Sequence, residues 1–104
     1  MGPKKVFLYG QMQVSVPFTE VNWRKTNALL KTVPGLVRKT WLSGINTHTT
    51  GGLYEFDSLE HARAFAEGPY AELARQRGAS LTVKIFDGDV VEEASRDMGS
   101  PHYA

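Results

Sequence analysis

Four stretches of this chain alternate apolar and polar residues, and two stretches between them repeat every three to four. That order leaves few folds open. Val6 to Val14 alternates strictly, with Val6, Leu8, Gly10, Met12 and Val14 on one side and Phe7, Tyr9, Gln11 and Gln13 on the other. After Val16-Pro17-Phe18, Thr19 reads as an N-cap with Glu20 in the first turn, and a helix runs to about Thr32. Trp23, Leu30 and either Thr26 or Asn27 share its face, extended by Val33. Val33-Pro34-Gly35 stops it. Leu36 to Leu42 alternates again, with Val37, Lys39 and Trp41 opposite Leu36, Arg38, Thr40 and Leu42. A Gly-, Asn- and Thr-rich loop, Gly44 to Thr50, leads into a third strand that ends at Phe56. The short connection implies an antiparallel hairpin. Ser58 caps a second helix with an Ala62, Phe65 and Ala66 stripe. Gly68-Pro69 interrupts that helix, Tyr70 to Arg77 continues it, and Gly78 ends it. Leu81, Val83 and Ile85 alternate with Thr82, Lys84 and Phe86 in a fourth strand, and a polar tail follows with a short helical piece near Val91 to Arg96.

The order β-α-β-β-α-β is the ferredoxin-like plan, an α+β fold with a four-stranded antiparallel sheet and both helices on one face. One domain spans residues 1–104, with a core at about 5–88 and a C-terminal tail at 89–104. The plan leaves the other sheet face uncovered. Tyr9, Leu42, Leu53 and Phe86 lie there among polar groups, which predicts a second copy packed face to face as a homodimer.

Composition removes several functions. The net charge is +1 with both signs interspersed, which offers no clustered basic surface for nucleic acid. There is no cysteine, so disulfides, thiolate nucleophiles and cysteine-ligated metals are excluded. The start Met1-Gly2-Pro3-Lys4-Lys5 has no cleavage-site pattern, and no apolar run is long enough to span a membrane. The expected location is the cytoplasm.

Val37, Lys39, Trp41, Tyr54 and Phe56, with Leu8 and Met12, fall on the helix-facing side under Trp23 and Phe65. This set describes either an aromatic cavity with a few polar groups or an aromatic core with Lys39 snorkelling at its edge. His48, in a loop beside two glycines, is the candidate acid or base. His61 and His102 read as surface residues, and no metal-ligand spacing is present, so no metal is expected. No phosphate-binding glycine motif occurs, and neither Ser43 nor Ser58 has a nucleophile context.

Pro34-Gly35-Leu36, Lys39, Trp41, His48, Gly51-Gly52-Leu53-Tyr54 and Phe56, with Lys84-Ile85-Phe86-Asp87 later, resemble the YdhR-like monooxygenase family. The family lies within the dimeric α+β barrel, antibiotic-biosynthesis-monooxygenase-like superfamily. The resemblance covers roughly residues 6 to 92. It implies two ferredoxin-like units with their sheets packed together, and a monooxygenase that acts without a cofactor on a small planar aromatic or polyketide-like substrate. It also implies His48 or a neighbour as base, Trp41 and Tyr54 as donors and walls, and Lys39 stabilising an anion. Trp23, Phe56, Phe65 and Met12 would complete the substrate site. The Asn-Trp-His set of haem-degrading relatives is not reproduced, although Asn46 lies near His48. The tail from Ser95 departs from the family pattern and is expected across a dimer or over the pocket mouth. A lyase or isomerase on the same scaffold, or a non-catalytic small-molecule-binding dimer, are the alternatives.

Overall fold

A computed structural model describes residues 2–13 and 16–104. Val14, expected at the end of the first strand, lies outside them. Strands β1 (Val6–Gln13), β2 (Leu36–Ser43), β3 (Thr49–Phe56) and β4 (Leu81–Asp87) form one antiparallel sheet in the order β2-β3-β1-β4. Helices α1 (Trp23–Leu30), α2 (Leu59–Phe65), α3 (Ala71–Arg77) and α4 (Glu92–Asp97) complete the fold. This is the ferredoxin-like plan, and its core lies between the sheet and α2–α3. Val6, Leu8 and Phe56 are fully buried there, with Tyr54, Phe65 and Tyr70 beside them.

Three local features differ from the sequence expectation. First, α1 starts later. Thr19 sits in a separate 3-10 turn, Phe18–Glu20, and Asn22 caps α1 by accepting from the Lys25 N–H at 3.2 Å. Second, β2 carries a bulge. Leu36 pairs with Phe56 and Arg38 with Glu55, leaving Val37 as the extra residue. A bulge resets the alternation, because two residues on one strand oppose one on its partner. Leu36 therefore packs on the core and Val37 faces out at 49% exposure, the reverse of strict alternation. Third, the Gly68-Pro69 interruption is not a break. Ala66–Tyr70 widens into a π turn that joins α2 to α3. The proline removes a donor there, and the i→i+5 pattern absorbs the extra residue.

No residue of the tail lines the cavity described below. The tail folds back on its own sheet, on the face away from α1–α3. Tyr103 is buried, packs edge-on against Phe7 with centroids 6.1 Å apart, and donates its hydroxyl to the Gly88 carbonyl at 2.6 Å. His102 meets Phe7 edge-on at 5.2 Å. Beneath them Glu55, only 5% exposed, pairs with Lys5 Nζ at 3.0 Å and Arg38 Nε at 3.5 Å. A carboxylate so buried is tolerable only with such partners. Among the described residues no helix is long and apolar enough to cross a membrane.

Candidate active site

Between the sheet and the helices lies a cavity of about 320 Å³. Met12, Lys39, Trp41, Thr50, Gly51 and Tyr54 form its floor, on β1, β2 and β3. Thr26, Leu29 and Leu30 of α1 wall one side, spaced as one helical stripe. Phe65, Pro69, Tyr70, Leu73 and Arg77 wall the other.

Two glycines shape the floor. A methyl group at Gly10 would overlap the Tyr70 ring, so the ring lies flat on β1 only because that side chain is missing. At Gly52 an added Cβ would stand 2.6 Å from Lys39 Cε, so the lysine stem crosses β3 through the space glycine leaves. The π turn supplies the other half of the wall. Phe65 and Tyr70 are five residues apart, a spacing that does not share a face in an α-helix. The wider turn brings their rings into a stack, with centroids 5.1 Å apart and planes at 25°.

Most polar atoms of the lining are already used. The hydroxyls of Thr26, Thr32 and Thr50 donate to the backbone carbonyls of Asn22, Leu29 and Leu42. The Trp41 indole N–H donates to Asn27 Oδ1 at 2.9 Å, and the ring is fixed edge-on by Phe18 at 5.5 Å. Trp41 is therefore a wall whose one donor is already engaged. Lys39, Tyr54, Tyr70 and Arg77 remain.

Lys39 Nζ lies 3.3 Å from the Trp41 ring centroid and 4.7 Å from that of Tyr54. Two effects oppose each other here. The ring faces favour an ammonium by ~0.5–2 kcal/mol, whereas loss of hydration disfavours it by more. Burial wins, and with the Arg77 charge nearby it brings the amine down from 10.5 to about 7. Burial, then the neighbouring Tyr70 phenol, pushes the Tyr54 hydroxyl above its ordinary range, and burial first of all does the same for Tyr70. Both tyrosines thus stay protonated near neutral pH. They can donate a hydrogen bond but not take a proton, whereas Lys39 can do either.

The structure brings Lys39, Trp41, Tyr54, Phe65 and Met12 together and leaves three expected residues out. His48 is exposed, on a loop at φ 54°, and lines a separate recess with Pro17, Phe18, Ser43 and Asn46. Phe56 is fully buried, 5.6 Å from Phe65 by ring centroids, and is not among the residues that line this cavity. Trp23 shares the stripe of Thr26 and Leu30 but sits in the first turn of α1, beyond the cavity edge. It is 36% exposed with the Arg24 guanidinium 4.3 Å from its ring. Sequence reasoning missed Tyr70 and Arg77. The pairing of a glycine in β1 with an aromatic just after Gly68-Pro69 was the available signal for Tyr70. Among the described residues no three His, Asp or Glu side chains gather as metal ligands.

Fold and cavity define an α+β domain with an aromatic chamber between its sheet and its helices. The chain belongs to the family described as "Putative mono-oxygenase ydhR", whose model matches residues 11–98. Among solved structures it is similar to a mutant of SnoaB, a cofactor-independent oxygenase from Streptomyces nogalater. The identity is 19% over 83% of this chain and 94% of that one, with a TM-score of 0.60. At that identity the likeness shows the fold. No curated protein matches the chain.

Proposed function

We propose that this protein is a cofactor-independent monooxygenase that oxidises a small planar aromatic or polyketide-like molecule in the cavity between sheet and helices. One observation carries the reading: an apolar chamber walled by aromatics holds a single lysine amine near the middle of its titration at neutral pH. The family and the fold of the SnoaB-like oxygenase agree with it.

In this reading neutral Lys39 takes a proton from an activated CH₂ group beside a phenol or ketone. The ammonium so formed stabilises the substrate carbanion or enolate, and the Tyr54 and Tyr70 hydroxyls donate to its developing oxyanion. The electron-rich carbon reduces O₂ and forms a C–O bond. The resulting hydroperoxide loses water and leaves a carbonyl, so that R₂CH₂ + O₂ gives R₂C=O + H₂O. Trp41 and Phe65 hold the ring plane and Met12 closes the floor. His48, in its own recess, takes no part in the proton transfer. The molecule acts as a homodimer through the part of the sheet that the tail leaves open.

The test is oxygen uptake with anthrone-type substrates. One O₂ is consumed per carbonyl formed, and Lys39→Met lowers kcat/KM by about 10²–10⁴-fold. Full activity in Lys39→Met rules out the base. Product formed equally well under nitrogen replaces the oxygenase by a lyase or isomerase using the same groups.

A further inference from the structure

Among the described residues two ionisable side chains other than the tyrosines line the cavity, and both are basic. Lys39 stands on its floor and Arg77 at its rim, at the last turn of α3, where the guanidinium is exposed. Among the described residues no aspartate or glutamate lines the cavity. Arg75 pairs with Glu72 and Arg96 with Glu92, but neither Lys39 nor Arg77 has a carboxylate partner among the described residues. Glu20 lines the cleft on the far side of Arg77 and makes no ion pair with it. Arg77 is near enough for its charge to act on Lys39. Where Lys39 carries its proton, two like charges share this space without a counter-ion, and an anionic guest lowers that cost; where it does not, Arg77 alone is left without a carboxylate partner among the described residues.

We propose that the cavity takes an aromatic carboxylate, its planar body between sheet and helices, its carboxylate held at the mouth by Arg77 and its far end beside Lys39. A guanidinium binds a carboxylate through two parallel N–H donors, which fixes orientation as well as position. The C-terminal end of α3 opposes an anion there, but by less than such a charged hydrogen bond contributes. The orientation leaves the reacting carbon, not the acid group, next to the amine. The inference rests on this cavity being the substrate site.

The experiment compares 2-naphthoate with its neutral methyl ester in oxygen-free buffer. Binding is followed by quenching of Trp41 fluorescence in a Trp23→Phe background. The acid binds about tenfold more tightly than the ester at low salt. Arg77→Gln removes that preference and leaves ester affinity unchanged, which also reports that the cavity is intact. Arg77→Lys keeps part of it. Equal affinity for acid and ester, a preference that survives Arg77→Gln, or no binding of either probe overturns the proposal. The two readings fail separately. A preference for the acid with no oxygen-dependent turnover of any candidate removes the oxygenase and keeps this inference. Oxygen-dependent turnover of neutral substrates without a preference for acids does the reverse.

Discussion

Lys39 is where chemistry and stability meet at the scale of one residue. Its unfolded form holds a proton up to about pH 10.5, whereas the folded form holds it only to about 7. Between those values the unfolded chain binds more protons, so the free energy of unfolding rises with pH across that window. Below pH 7 the fold bears the full cost of burying an ammonium; above 10.5 it bears none. Lys39→Met removes the titrating group and keeps the length of the stem. The variant should be more stable than the parent at pH 6, by on the order of a few kcal/mol, with the gap shrinking steadily toward pH 10. Thermal melts at four or five pH values measure this. A gap that does not change with pH would mean the amine is solvated and not a candidate base. The glycines act at the same scale. Gly10 and Gly52 matter for what they leave empty, room for the Tyr70 ring and the Lys39 stem.

At the scale of elements, the C-terminal tail is as much part of the sheet as the strands are. Tyr103 is 4% exposed, bonds to Gly88 and packs on Phe7, and with His102 it closes over the Glu55 cluster. Tyr103→Ala should cost ~3 kcal/mol, the size usual for emptying a buried aromatic site. It should also speed amide exchange in β1 and β4 near their ends. A loss under ~0.5 kcal/mol in denaturant unfolding would show the tail to be an ornament. The π turn is the other decisive element. It rotates Tyr70 onto Phe65 and sends α3 on at a phase that delivers Leu73 and Arg77 to the cavity.

At the scale of the whole molecule, the sheet face opposite α1–α3 is half covered. The tail occupies the end near Phe7, while Leu42 at 41% and Phe86 at 49% exposure remain open, with Tyr9 and Leu53 half-buried between them. An apolar face of this kind marks an interaction surface, and the homodimer proposed above would cover it. Sedimentation should give about twice the monomer mass at micromolar concentration, and Leu53→Lys, which sets a charge in the middle of that face, should give monomers that still fold. A wild-type monomer under those conditions excludes the dimer.

The chain's periodicity alone determined the element order, the antiparallel sheet and the face on which Lys39, Trp41 and Tyr54 lie. Alternation and capping are local, and local rules survive into the fold. Three outcomes depended on tertiary structure. The β2 bulge exchanged Leu36 and Val37 between faces, because filling the space beside Phe56 outweighed strict alternation. The π turn joined Phe65 to Tyr70 at a spacing that no 3.6-residue pattern announces. Finally, packing decided which polar groups remain free. Asn27 engages the Trp41 donor, three threonines spend their hydroxyls on the backbone, and the loop carries His48 away, which leaves Lys39 and Arg77 with the two tyrosine hydroxyls in the chamber. The residue types could be read from the sequence. Their availability is set by neighbours distant in the chain, and only the folded structure specifies those.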